Sequence, residues 1–329
     1  MTSQLAVTLR DIYRARRTIL PSVRVTPLVP SPDLSHRIGA SVFLKLETLQ
    51  QTGSFKIRGA TNRLVRLNAD ERGRGVVAVS TGNHGRAVAH AARTLGIRTT
   101  VCMSSLVPQN KLAAIRDAGA DVRIVGHAQD DAEEEAKRLT QEENMIAVHP
   151  FDHPHIIAGQ GVIGVELLED LPDIDCLLVG LSGGGLISGI AIALKAASPQ
   201  TRVIGVSMER GPAMFHSIKA GKPVLVEEQK TLADSLGGGI GLDNRYTFAL
   251  VQQYVDDIIL VTEQQIAAAM AYLYRSDRVI AEGGGSVGVA ALLHDLVPNV
   301  RGNIVCVISG GNIDMEQFTR IINGKYTFD

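Results

Sequence analysis

Short β-branched runs alternate with helical patterns from residue 75 onward, and this alternation constrains the fold more than any other feature. Strands are predicted at 75–80, 98–104, 121–126, 145–151, 175–182, 201–208, 255–262 and 302–309. Helices are predicted at 83–96, 109–119, 130–143, 185–198, 263–276 and 286–294. Strand–helix alternation at this spacing is typical of parallel sheets covered by helices. The 329 residues allow two such α/β units, divided near residue 150.

Composition narrows the class of protein. Hydrophobic residues make up 45% of the chain and charged residues 20%, as in an ordinary globular protein. The net charge of −1 and the absence of a basic block argue against nucleic acid as a partner. Cys102, Cys176 and Cys306 lie far apart in apolar runs and are interpreted as reduced core residues. No apolar stretch reaches the length of a signal peptide or a membrane span, so we expect a cytoplasmic protein without a membrane partner.

Glycine-rich turns mark a candidate ligand site. They are "STGNHG" (80–85), "SGGGLISG" (182–189), "SLGGGIG" (235–241) and "SGGN" (309–312), and three of the four follow a predicted strand. Ligands of open parallel sheets bind outside the carboxyl ends of the strands. One such turn is weak evidence, but several together predict a single crevice lined by backbone.

The turn at 182–189 leads directly into a predicted helix. Bare backbone N–H groups at a helix start form an anion site suited to phosphate. No Gly-Lys-Ser/Thr follows, so the turn is not a Walker A loop, and a dinucleotide fingerprint would need its third glycine at 188 instead of Gly189. A compact phosphate fits better than a pyrophosphate. The alternative, a tight turn needed for close helix–sheet packing, stays open.

Two other turns carry side chains with more than one interpretation. Ser80, Thr81 and Asn83 are natural N-cap residues, but they could equally hold a carboxylate at the helix start. His84 is either a structural histidine or part of that carboxylate site. Ser309 would point its hydroxyl into the crevice, although Ser-Gly-Gly-Asn is also an ordinary turn.

Lys56, in "GSFKIRGATN", has Phe55 and Ile57 as apolar neighbours. A lysine that is partly removed from water has a lowered pKa and becomes a nucleophilic amine. A lysine, a phosphate cradle and a hydroxyl directed at a ring nitrogen are the parts of a pyridoxal phosphate site. Taken alone, Lys56 could be a solvated surface residue.

The segments "SFKIRGA", "STGNHG", "HPFDHPHIIAGQG", "SGGGLISG" and "SGGN", in this order, resemble the fold-type II pyridoxal phosphate enzymes. The similar branch holds threonine/serine dehydratases and serine racemases, and the match runs from about residue 7 to 322. The resemblance implies two parallel-sheet α/β domains, like tryptophan synthase β, with the cofactor in the crevice between them. Residues 1–70 and 150–329 would form the larger cofactor-binding domain and 71–149 a smaller mobile domain. It also implies a homodimer.

The resemblance assigns a role to each matching residue. Lys56 matches the Schiff-base lysine, which also takes the α-proton of the substrate, and Phe55 packs against the ring. Asn83 matches the asparagine that bonds the 3-hydroxyl of the cofactor, and Ser309 the serine that faces the pyridine nitrogen. Ser80, Thr81 and His84 match the loop for the substrate carboxylate, and Gly238 lies in a bare loop that we expect beside the substrate. The phosphate loop comprises Ser182, Gly183, Gly184, Gly185 and Leu186.

A serine opposite the ring nitrogen leaves that nitrogen neutral, which favours loss of a β-leaving group over transamination. The resemblance therefore implies a dehydratase that converts a β-hydroxy amino acid to a keto product and ammonia. Racemisation is disfavoured, because Thr81 stands where racemases carry the serine that acts as the second base, although Thr81 keeps a hydroxyl at this catalytic position. Ser207 and Ala213 replace the acidic metal ligands of the racemases, so no metal is expected. β-Replacement is disfavoured by His84, where those relatives usually carry threonine.

The sequence leaves more than one substrate possible. "MERGPAM" and "TLADSLGGGIGLDNRYTFAL" resemble the dehydratases of bacterial hydroxyectoine utilisation, and the bare loop at 237–239 leaves room for a substrate larger than threonine. The helix around Asp131–Ala132 lacks the arginine that some relatives use for a second carboxylate, which disfavours hydroxyaspartate. General L-threonine or L-serine dehydration is the alternative. A non-catalytic ligand-binding protein on the same fold is the hypothesis from another class, and the presence of Lys56 argues against it.

Overall fold

The computed structural model describes residues 7–80, 82–105, 109–127 and 129–327, without the side chains of 109–111 and 129–130. The strands are β1 (Leu28–Pro30), β2 (Ser41–Leu46), β3 (Val76–Val79), β4 (Thr99–Met103), β5 (Asp121–Ile124), β6 (Ile146–Ala147), β7 (Cys176–Gly180), β8 (Arg202–Met208), β9 (Asp257–Val261) and β10 (Asn303–Ile308). The helices are α1 (Leu9–Ile19), α2 (Pro32–Ile38), α3 (Lys56–Val65), α4 (Ala69–Arg74), α5 (Asn83–Thr94), α6 (Gln109–Asp117), α7 (Gln129–Glu142), α8 (Pro154–Asp170), α9 (Gly185–Ala197), α10 (Ala213–Ala220), α11 (Thr247–Tyr254), α12 (Glu263–Tyr272), α13 (Gly283–Leu293) and α14 (Met315–Ile322).

The described strands form two sheets. The six-stranded sheet has the order β1-β2-β10-β7-β8-β9, and the four-stranded sheet has the order β5-β4-β3-β6. All described pairings are parallel except β1 with β2, which forms an antiparallel edge that the sequence analysis did not predict. The predicted α/β architecture with parallel sheets is therefore confirmed. The four-stranded sheet draws on residues 76–147, while the domain boundaries and the mobility of the smaller unit stay predictions.

The predicted strand at 145–151 is wrong in its second half, because β6 ends at Ala147. The ring nitrogen Nδ1 of His149 accepts hydrogen bonds from the backbone N–H groups of Phe151 (3.3 Å) and Asp152 (2.8 Å). These bonds curl the chain into a turn that cannot continue a ladder. The turn delivers Phe151 to the region where β7 ends.

Helix α8 packs backbone to backbone against both α3 and α9. A Cβ atom on Gly159 would lie 2.7 Å from the Cα of Gly59, and one on Gly189 would lie 2.4 Å from the carbonyl oxygen of Ile157. Only glycine permits such an approach without displacing backbone. This packing fixes the starts of α3 and α9 relative to each other, and both starts belong to the candidate site.

A buried ion cluster anchors the first turn of α3. Arg58 contacts Glu47 (Nε to Oε2, 2.8 Å) and Glu166 (Nη1 to Oε1, 2.6 Å), and Lys45 Nζ lies 2.9 Å from Glu166 Oε2. All four side chains are at most 2% exposed. Lys45 Nζ also lies 3.6 Å from Oδ2 of Asp170, so every buried charge of the cluster contacts at least one opposite charge. It ties α3 to β2, to the turn after β2 and to α8.

In the described part of the chain, no helix is both long and apolar enough to cross a membrane.

Candidate active site

Strands of both sheets end at one cavity of about 1780 Å³. The cavity brings together every predicted site residue except Thr81, which lies outside the described residues. These residues are Phe55, Lys56, Ser80, Asn83, His84, Ser182, Gly183, Gly184, Gly185, Leu186, Gly238 and Ser309. The predicted single crevice therefore exists, and segments more than two hundred residues apart in the sequence line it.

Lys56 is the first residue of α3 and reaches the cavity wall. Its Nζ donates a hydrogen bond to the carbonyl oxygen of Pro150 (3.0 Å) and lies 5.3 Å from the centroid of the Phe55 ring. Burial lowers the pKa of Lys56 to about 8, against an opposing effect of the negative charge on Glu282. Lys56 is thus a partly desolvated amine with a substantial neutral fraction near pH 8, not a solvated surface lysine.

The turn at 182–186 joins β7 to α9 and presents backbone donors to the cavity. Helix α9 has no side-chain N-cap bond, and within the described chain the N–H groups of residues 183–186 donate to no acceptor. Gly184 has φ of +84°, which favours glycine. A Cβ on Gly183 would lie 2.3 Å from Cδ1 of Phe151. The glycines therefore satisfy both interpretations, close packing and a bare anion cradle.

Neither Ser80 nor Asn83 is the N-cap of α5. The N-cap is Gly82, which makes no side-chain bond, and Ser80 Oγ accepts a hydrogen bond from the N–H of Gly82 (3.2 Å). Asn83 is helical, and its Nδ2 donates to Oε1 of Glu282 (2.6 Å). The capping interpretation is wrong for both residues, because their side chains serve other contacts.

His84 is a neutral imidazole held in one orientation. Its Nε2 donates to the carbonyl oxygen of Val148 (2.8 Å), since a carbonyl can only accept. Burial, and next the positive charge of Lys56, lowers the pKa of His84 to about 3. A carboxylate bound here would meet backbone N–H groups at the start of α5 but no charge from His84.

Ser309 and Gly238 both line the cavity. Ser309 is 4% exposed, and its carbonyl oxygen accepts a hydrogen bond from the N–H of Phe55 (3.0 Å). The Ser309 hydroxyl has no hydrogen-bond partner in the described part of the chain. Gly238 has φ of +89°, and no atom lies within 4 Å of the position of a Cβ. The bare loop predicted at 237–239 is open to the cavity.

Glu282 is a residue of the cavity wall that the sequence did not predict. This residue is 5% exposed, precedes α13 and lines the cavity. Burial, and next the charge of Asp234, raises its pKa to about 7. The available signal was a further glycine run, "EGGGS" at 282–286, which follows no predicted strand.

The donors around the cavity fit pyridoxal phosphate. Lys56 offers an amine for the aldehyde, and the 183–186 turn offers free N–H groups for the phosphate. Asn83 and Ser309 offer an amide and an unpartnered hydroxyl for the polar ring positions. Among the described residues, the 183–186 N–H groups and the Ser309 hydroxyl have no partner, whereas Lys56 Nζ donates to Pro150 and Asn83 Nδ2 makes one bond to Glu282.

Comparison with known proteins gives the same class. Residues 19–310 match the family described as "Pyridoxal-phosphate dependent enzyme". A putative threonine dehydratase of Sinorhizobium fredii is 52% identical over 97% of this chain and 96% of its own length. The L-threonine ammonia-lyase of Thermotoga maritima is 46% identical over 96% of this chain and 78% of its own length. The structure of maize serine racemase superimposes with a TM-score of 0.90 at 32% identity, covering 97% of this chain and 98% of its own.

The chain belongs to the pyridoxal-phosphate-dependent enzymes. Within this family it is a lyase of the dehydratase type, so the sequence prediction of cofactor and reaction class is confirmed.

Proposed function

We propose that this protein removes water from a β-hydroxy amino acid and releases a 2-keto acid and ammonia, with L-threonine and L-serine as the first candidate substrates. The observation that carries the proposal is Lys56, an amine of lowered pKa in a cavity lined by unpartnered donors. The high identity to proteins named threonine dehydratase and L-threonine ammonia-lyase supports it.

Each residue of the cavity has its own role in the proposed reaction. Lys56 would hold the cofactor, and its amine would take the α-proton of the substrate. The N–H groups of 183–186 would hold the phosphate, with Ser182 and Leu186 at the ends of that turn. When bound, the cofactor withdraws electrons from the α-carbon. The Ser309 hydroxyl would face the ring nitrogen and would not protonate it, which would favour loss of the β-hydroxyl as water.

The substrate carboxylate is assigned to the start of α5. Backbone N–H groups there carry the partial positive charge of a helix N-terminus, and Ser80 adds a hydroxyl. Thr81 is proposed as a further hydroxyl donor from the sequence alone. His84 contributes position and an uncharged lining, because its pKa is far below neutrality.

A second candidate substrate is an open-chain derivative of hydroxyectoine. The bare loop at 237–239 favours it, since Gly238 leaves open space in a cavity of about 1780 Å³. Such a substrate extends beyond threonine at its γ-position and needs room on that side.

A panel of substrates separates these candidates. The loaded enzyme is given L-threonine, L-serine, threo-3-hydroxyaspartate and open-chain hydroxyectoine derivatives, and keto product and ammonia are measured. Turnover of threonine or serine identifies a general dehydratase. Turnover of the hydroxyectoine derivatives alone identifies the second candidate, and no product from any β-hydroxy amino acid contradicts the dehydratase proposal.

Two further expectations belong to this proposal. D-Serine formed from L-serine faster than pyruvate would favour the racemase alternative. A homodimer is proposed from the resemblance, and light scattering that gives the mass of one chain, 35.2 kDa, would contradict it.

A further inference from the structure

Four polar side chains join the start of α5 to two loops of the larger sheet. We call Asn83, Arg86, Glu282 and Asn312 the Asn83 network. Asn83 Nδ2 donates to Glu282 Oε1 (2.6 Å), and Asn312 Nδ2 donates to Asn83 Oδ1 (2.6 Å). The backbone N–H of Asn312 donates to Glu282 Oε2 (3.1 Å), and Arg86 Nη1 donates to Asn312 Oδ1 (2.5 Å).

Glycines in two of the sequence motifs make room for this network. A Cβ on Gly310, in "SGGN", would lie 2.7 Å from Glu282 Oε1. A Cβ on Gly53, in "GSFK", would lie 2.4 Å from Asn312 Oδ1. The bare turns before Lys56 and after β10 therefore admit the carboxylate and the amide, in addition to any space they leave for a ligand.

Glu282 fixes the orientation of the Asn83 amide. An ionised carboxylate can only accept, so the NH₂ group of Asn83 must face Glu282 and its oxygen must face Asn312. An NH₂ group has two hydrogens, and one of them has no acceptor in the described part of the chain. The locked amide thus keeps one donor for a ligand in the cavity.

The charge of Glu282 acts on Lys56. The negative carboxylate favours the protonated amine of Lys56 and opposes the effect of burial. Asp234, in the turn before Leu236, faces Glu282 as a second carboxylate, and a Ser235 hydroxyl supports the ionised form. Around Lys56, His84 and His149 have lowered pKa values and are neutral near pH 8, so Glu282 is the negative group acting on the amine.

We propose that Glu282 is a positioning residue of this site: its carboxylate orients the Asn83 amide toward the cofactor and supplies the negative charge that acts on the Lys56 amine. The inference rests on the cofactor roles proposed above for Lys56 and Asn83. It assigns Glu282 no contact with the substrate. It predicts that one carboxylate sets both the affinity for pyridoxal phosphate and the proton affinity of the amine.

The test measures cofactor binding to the apoprotein without any amino acid. The rate of pyridoxal phosphate binding is followed by absorbance as a function of pH, together with the equilibrium Kd. Glu282→Gln removes the charge and lets the side-chain amide face Asn83 either way. Glu263→Gln is the matched control, because Glu263 is also 5% exposed, also accepts from one side chain and one backbone N–H, and does not line the cavity.

For Glu282→Gln we expect the midpoint of the pH profile to fall by about one unit, because loss of a nearby opposite charge favours the neutral amine. We expect Kd to rise about tenfold, as for the loss of one charge-assisted hydrogen bond. Glu282→Asp retains the charge but shortens the reach, so it should raise Kd with the midpoint nearly unchanged. This variant also serves if the glutamine variant fails to fold.

An unchanged midpoint in Glu282→Gln would overturn the inference, as would an equal shift in Glu263→Gln. A merely structural role would lower the melting temperature of both variants and leave both midpoints in place. Because no substrate is present, a failure of the dehydratase proposal leaves these measurements readable, and the two failures are distinguishable.

Discussion

Replacing Arg58 with methionine should test how strongly the buried ion cluster holds the first turn of α3. Arg58 is 1% exposed and makes paired hydrogen bonds with Glu47 (2.8 and 2.8 Å) and Glu166 (2.6 and 2.8 Å). Methionine fills much of the volume but leaves two buried carboxylates with Lys45 as their remaining cation. Removing one partner of a buried ion pair costs about 3–5 kcal/mol, because the other charges stay uncompensated.

Arg138 provides a matched comparison. It also bonds two carboxylates, Glu135 and Glu142, but it is 39% exposed and lies on the surface of α7. Arg138→Met should cost much less free energy of unfolding than Arg58→Met, because solvent screens an exposed ion pair. Urea unfolding followed by circular dichroism gives both free energies of unfolding. A loss in Arg58→Met no greater than in Arg138→Met would refute the reasoning that burial sets the value of this cluster.

The residues of the cavity wall lead to three further predictions. The rate of pyridoxal phosphate binding to the apoprotein should rise with pH with a midpoint near 8, because only the neutral Lys56 amine attacks the aldehyde, and a midpoint near the unperturbed 10.5 would contradict this. Gly183→Ala should raise the Kd for the cofactor about tenfold or more, because its Cβ would lie 2.3 Å from Phe151, and equilibrium dialysis showing wild-type affinity would be the opposite result. Gly238→Ala meets no atom within 4 Å but requires φ of +89°, so thermal unfolding should show a loss of about 1–2 kcal/mol.

Local patterns predicted eight of the ten described strands, but they left several described helices, such as α8 and α14, unpredicted. Continuous apolar runs such as "IVCVI" stay buried on both faces of a parallel sheet, and β10 spans Asn303–Ile308 as expected. The strand predicted at 145–151 was too long. The apolar pattern continues past Ala147, but it does not show that the His149 side chain bonds the backbone and turns the chain. A short antiparallel edge such as β1 carries too few residues to produce a period.

The parts of the site that escaped prediction depend on contacts between distant segments. Arg58 and Glu166 are charged residues that composition places on the surface, yet they pair across 108 positions in the interior. Glu282 reaches Asn83 across 199 positions. The sequence around these residues does not indicate their partners. The ion cluster and the Asn83 network are therefore visible only in the folded structure. The glycine turns were predictable because they place backbone at strand ends whatever surrounds them.

The visible absorbance spectrum of the purified protein, after addition of pyridoxal phosphate and removal of the excess, tests the central role of Lys56 most directly. We expect a visible band in the wild type that sodium borohydride fixes covalently to the chain at Lys56. We expect no such band in Lys56→Ala. The same band in Lys56→Ala, or borohydride labelling at another lysine, would contradict the assignment of Lys56 as the residue that holds the cofactor.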